Sequence, residues 1–99
     1  MKIDIVATFR FLTKEEGSRH ARPIVTEFYR CPLGFDGKLF DCGIYLDKLV
    51  PVLPGAKITV PLEFVRPDLV KGRLSVGSKI TIWESGITAE GIVEQILPD

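Results

Sequence analysis

Ninety-nine residues leave room for one hydrophobic core and not for a catalytic domain with an accessory one, so residues 1–99 are read as a single domain. With 45% hydrophobic and 26% charged residues the composition is that of a globular protein, neither disordered nor fibrous. Thirteen basic residues balance thirteen acidic ones, so the net charge of zero excludes a global field that would draw in nucleic acid or an anionic membrane.

The first strand-like pattern is the clearest. Ile3, Ile5, Ala7, Phe9 and Phe11 alternate with Asp4, Thr8 and Arg10, a period of two over about ten residues. That alternation is not the continuous apolar run of a signal peptide, and no stretch of the chain approaches 18 apolar residues, so the expectation is a cytoplasmic protein with no membrane partner. Turn signals then follow at short intervals, from Glu16-Gly17-Ser18 and Cys31-Pro32-Leu33-Gly34 through Asp36-Gly37, Pro54-Gly55, Arg66-Pro67-Asp68 and Lys71-Gly72 to Val76-Gly77-Ser78 and Ser85-Gly86. Between them lie strand-length runs near 2–12, 23–30, 38–46, 56–65, 79–84 and 90–97. Val, Ile, Thr, Phe, Tyr and Trp make up 34 of the 99 residues and Ala only four, which disfavours helix throughout. Six short antiparallel strands must protect their edges, and closure into a small all-β barrel does so. Ile3, Ile5, Phe9, Phe11, Ile80 and Ile82 are expected inside it. Pro61 falls within the fourth run and is expected on an edge or a bulge.

Cys31 and Cys42 are the only cysteines, and the ten residues between them match neither a CxxC redox motif nor a paired zinc site. Free, partly buried thiols are the plain reading; a disulfide requires adjacent strands and close Cα atoms. His20 is the only histidine, with no clustered second ligand in the sequence, so neither a metal site nor general-base catalysis is expected. No GxxxxGK(S/T) string occurs, and nucleotide binding is not expected. No cofactor is implied.

Phe11-Leu-Thr-Lys-Glu-Glu-Gly-Ser-Arg-His20 resembles the start of the third, C-terminal β-barrel domain of elongation factor Tu, where the pattern reads roughly Leu-x-x-(Asp/Glu)-Glu-Gly-Gly-Arg-His. Tyr29-Arg30, Val52-Leu53-Pro54-Gly55, and Ile82-Trp83-Glu84-Ser85-Gly86 through Gly91-Ile92-Val93 fall in the order of that domain's Tyr-Arg-Pro, Met-Pro-Gly and Ile-Arg-Glu-Gly-Gly-Arg-Thr segments with its Gly-Val-Val ending. The resemblance implies a closed barrel and a binding role, either with proteins or with the stem of a tRNA-like RNA. It implies nothing about GTP, whose chemistry belongs to a different domain of the elongation factor. The loop that faces tRNA in that family carries arginines where this chain has Trp83 and Ile87.

Two kinds of partner therefore stand open. A protein partner would engage Trp83, Ile87 and Thr88. Trp83 points away from the face of Ile80 and Ile82, so it either covers a second core layer or stands out as an anchor. An RNA partner would engage Lys14, Arg19, His20 and Arg22 on one segment of local charge +1, and Arg66 and Arg73 on a second of local charge +3, provided both reach one end of the barrel. The first choice is a non-catalytic protein-interaction module.

Overall fold

A computed structural model describes residues 2–99. The strands are β1 (Ile5–Phe11), β2 (Phe28–Phe35), β3 (Lys38–Tyr45), β4 (Lys57–Phe64), β5 (Lys79–Trp83) and β6 (Ile87–Ile96), with one helical turn, α1 (Pro67–Val70), and 3-10 turns at Asp47–Leu49 and Lys71–Arg73. They close into an antiparallel barrel in the order β1-β4-β3-β2-β5-β6, β6 returning to β1. No helix among the described residues is long and apolar enough to cross a membrane.

The alternation in β1 sends Ile5, Ala7, Phe9 and Phe11 inward, where they meet Leu33, Ile44, Val60, Leu62, Ile80, Ile82 and Val93. Gly91 opposes Phe9 across the β1–β6 ladder, and the Phe9 ring occupies the space that a side chain at Gly91 would need. Ile3 is the exception among the expected core residues: it precedes the first paired residue of β1 and is only partly buried.

Two departures from the expected elements have local physical causes. The second strand starts and ends five residues later than the sequence pattern suggests, so Cys31-Pro32-Leu33-Gly34 is strand and not turn. Asp36 and Gly37 both have positive φ, the signature of a two-residue type I′ hairpin, which makes Phe35 and Lys38 a hydrogen-bonded pair. Alternation then directs the donor that Pro32 lacks toward β5, whose ladder with β2 covers only Leu33 and Gly34. Gly34 faces outward beneath the indole of Trp83: a Cβ there would lie 2.6 Å from Nε1. Residues 23–27 form no strand; they cross the end of the barrel, held by the isolated bridge of Ile24 to Val52.

Pro61 lies in the middle of β4, in a barrel that has no free edge. The Leu62 carbonyl accepts a hydrogen bond from Asp4 N–H at 2.8 Å and so faces β1. Pro61 therefore turns its missing donor toward β3, one residue beyond the last pair of that ladder, Ile44 with Leu62.

One end of the barrel carries the β2–β3 turn, the connection from β4 through α1 to β5, and both ends of the described chain. There Asp4, only 1% exposed, accepts the Phe64 N–H through Oδ2 at 2.7 Å, while Lys71 Nζ stands 3.6 Å from Oδ1. Lys71 also donates to the Leu97 carbonyl at 2.8 Å and to Asp99 at 2.7 Å, and the Leu97 N–H donates to the Asp4 carbonyl at 2.9 Å. The other end carries residues 12–27, residues 46–56 and the β5–β6 turn.

Candidate functional site

The site is built around that turn. In β5 the buried side chains of Ile80 and Ile82 send Thr81 and Trp83 to the outer surface. Trp83 is half-buried there and lies over Gly34, with Nε1 donating to Thr81 Oγ1 at 3.0 Å. It is a surface tryptophan that packs against its own barrel, which lies between the two readings the sequence left open. Leu39 pairs with Gly34 across β2–β3 and stands 54% exposed; it and Trp83 both border two adjoining shallow hollows.

After Trp83 the chain turns through Ser85 and Gly86, both at positive φ, into Ile87, which is 38% exposed. Glu84 lines a cleft of about 260 Å³ walled also by Ser18, residues 20–26, Phe11, Val52 and Pro54. Its Oε2 accepts a hydrogen bond from the Tyr29 hydroxyl, and Arg22 Nη2 lies 3.6 Å from Oε1. Burial, and then the bond to Glu84, push the Tyr29 hydroxyl well above its usual pKa, so Tyr29 stays a donor across the physiological range. Thr88 donates from Oγ1 to the Ile82 carbonyl at 3.3 Å, and its own carbonyl accepts the Leu12 N–H at 2.9 Å, which ties the turn to the long loop. His20, Arg22, Glu84, Ser85 and Thr88 line a smaller neighbouring cleft of about 210 Å³.

The loop holding Lys14, Arg19, His20 and Arg22 is shaped from within. Thr13 and Glu16 bond reciprocally, Thr13 N–H to Glu16 Oε1 at 3.1 Å and Glu16 N–H to Thr13 Oγ1 at 3.3 Å, the arrangement of a capping box. Arg10 joins Glu16 at 2.7 Å and holds its carboxyl below the usual carboxylate range. Lys14, Arg19 and His20 are exposed, whereas Ser18 is buried.

Of the residues singled out from the sequence, the structure gathers Trp83, Ile87, Thr88, His20 and Arg22 at one end. It does not bring Arg66 and Arg73 to them. Those two lie on the β4–β5 connection at the opposite end, where Arg66 pairs with Asp68 at 2.8 Å and Arg73 donates to the Leu69 carbonyl at 3.2 Å. The joint basic cradle conceived for RNA is therefore split by the length of the barrel. Tyr29, Glu84 and Leu39 belong to the site and were not singled out, since 55 residues separate the Tyr29–Glu84 pair and no local signal links them. Among the described residues no group of three or more His, Cys, Asp or Glu stands close enough to hold a metal ion. In comparisons with known proteins, no family model and no curated protein matches the chain.

Proposed function

We propose that the chain is a non-catalytic protein-interaction module, a barrel similar to the third domain of elongation factor Tu, which meets its partner through Trp83, Leu39, Ile87 and Thr88. The observation that carries this reading is the distribution of side chains. Trp83 and Leu39 share two hollows on the outer surface and Ile87 pairs with Trp83 across the β5–β6 turn, while the basic segments stand at opposite ends. A tryptophan already seated on its own barrel loses little rotamer freedom on binding, and residues of this kind dominate interface energies. The test is affinity capture from lysate with wild type and Trp83→Ala, each with and without RNase. Proteins retained by wild type, lost with Trp83→Ala and indifferent to RNase are expected; capture abolished by RNase sinks the reading.

RNA binding is the second reading, favoured by the exposure of Lys14 and Arg19 on the loop beside the cleft. Without Arg66 and Arg73 the available phosphate contacts are few, so affinity for duplex RNA would fall with salt at a log-log slope of about −2 to −3. Substituting Lys14, Arg19 and Arg22 by alanine would flatten that slope. Binding that ignores salt would dismiss this reading.

A further inference from the structure

Cys31 and Cys42 face each other across β2 and β3 as direct partners in the ladder, both buried, with Sγ atoms 3.9 Å apart. Counting back from the type I′ turn, they form a hydrogen-bonded pair, whose Cα atoms stand about 5.5 Å apart, inside the range of roughly 4.4–6.8 Å over which a disulfide closes. Cys42 Sγ lies 3.3 Å from the Cys31 carbonyl, so one thiol is already oriented along the cross-strand gap. The two are not equally sheltered. Cys31 retains 7% exposure against 2% for Cys42, and it borders the hollow that Trp83, Leu39 and Pro32 line on the surface.

We propose that Cys31 and Cys42 are a dithiol modification site that a small hydroperoxide converts into an intramolecular disulfide, with Cys31 as the entry sulfur. Cys31 Sγ attacks the peroxide O–O bond, giving a sulfenic acid and one water. Cys42 Sγ then attacks that sulfur, forming the S–S bond and releasing a second water. Two thiols thus lose two protons and two electrons, which reduce one hydrogen peroxide to two waters. The bond to Cys42 and burial raise the Cys31 pKa above the ordinary thiol range, so the first step is slow and needs sustained oxidant. Once formed, the bond cross-links the β2–β3 hairpin three ladder positions from the pair of Gly34 with Leu39, Gly34 being the residue on which Trp83 rests. The inference does not depend on the proposed partner.

The experiment treats the folded protein with hydrogen peroxide, quenches it, alkylates free thiols under denaturing conditions and digests it with trypsin. Cleavage after Arg30, Lys38 and Lys48 separates the two cysteines, so the expected product is peptide 31–38 joined to peptide 39–48, released by dithiothreitol. The cross-linked protein should melt about 5 °C higher than the reduced form, because closing a short loop removes conformations from the unfolded chain. In Cys42→Ser the resolving sulfur is gone, and dimedone should trap the sulfenic acid at Cys31. Alkylated thiols at both positions after prolonged oxidation would overturn the proposal. So would sulfinic acid at Cys31 of the wild type in place of the linked peptides. A dimedone adduct at Cys42 of Cys31→Ser, with none at Cys31 of Cys42→Ser, would overturn the assigned entry.

Discussion

At the Asp4 end of the barrel, Lys71 stands between Asp4 and Asp99 and donates to the Leu97 carbonyl, Asp4 accepts the Phe64 N–H of β4, and Arg66 and Arg73 are likewise turned onto their own chain. At the Trp83 end, Glu84, Arg22 and Tyr29 meet along a cleft, and Lys14, Arg19 and Ile87 face solvent. A charge that satisfies a buried backbone donor is bound to the fold, whereas one along a cleft exchanges its contacts with water and remains open to a partner. The contrast sets the buried carboxylate of Asp4 and its backbone bond at one end and the proposed recognition residues at the other.

The sharpest way to break the comparison is at Asp4. Replacing it with alanine leaves the Phe64 N–H and Lys71 without their carboxylate, and we expect a loss of about 3 kcal/mol in urea unfolding. Asp4→Asn keeps an acceptor for Phe64 and should lose about half as much. Equal losses would mean that the ion pair, and not the backbone bond, dominates. Neither change should alter partner capture once the protein is folded.

Next in size is the packing of Trp83. Gly34→Ala drives a Cβ into the indole and the Thr81 hydroxyl and should cost about 2 kcal/mol. Trp83→Ala alone should cost about 1–2 kcal/mol, because the side chain is only half-buried. In the Trp83→Ala background the penalty of Gly34→Ala should shrink, and strict additivity of the two would show that the indole does not rest on Gly34 in solution.

The smallest effects are those of pH. Asp99, Glu16 and Asp68 have lowered pKa values through their bonds to Lys71, Arg10 and Arg66 respectively. Their contribution is present above the ordinary carboxylate pKa of about 4 and is lost as pH falls through the lowered folded values. Because all three are exposed, the decline in urea midpoint below pH 4 should be modest and should flatten with added salt. Tyr29 and Lys71 have raised pKa values, so what they contribute is full below about pH 10 and fades as pH rises further. Tyr29→Phe should reduce the slope of that alkaline limb, and an unchanged slope would assign the limb to the other groups with raised values, Lys71, Tyr45 and Cys31.

Periodicity placed the first and fourth strands within three residues of their ends because each packs one face inward and the other outward, so burial is written into every second side chain. The sequence pattern puts the second strand five residues too early because proline and glycine punctuate a sequence locally, whereas Pro32 and Gly34 answer to β5 and Trp83, which lie nearly fifty residues away along the chain. For the same reason no local signal links Tyr29 with Glu84 or separates the two basic segments.

What the sequence by itself determined was the β composition, the alternation that makes a core, the hairpin at Asp36-Gly37 and the near absence of helix. All of these follow from forces acting over a few neighbouring residues. The strand order, the burial of Asp4, the facing of Cys31 on Cys42, the cover of Gly34 by Trp83 and the separation of Arg66 and Arg73 from Arg19 and Arg22 were decided by closure of the barrel. Closure selects which distant backbone edges pair, and local propensity carries no record of that choice.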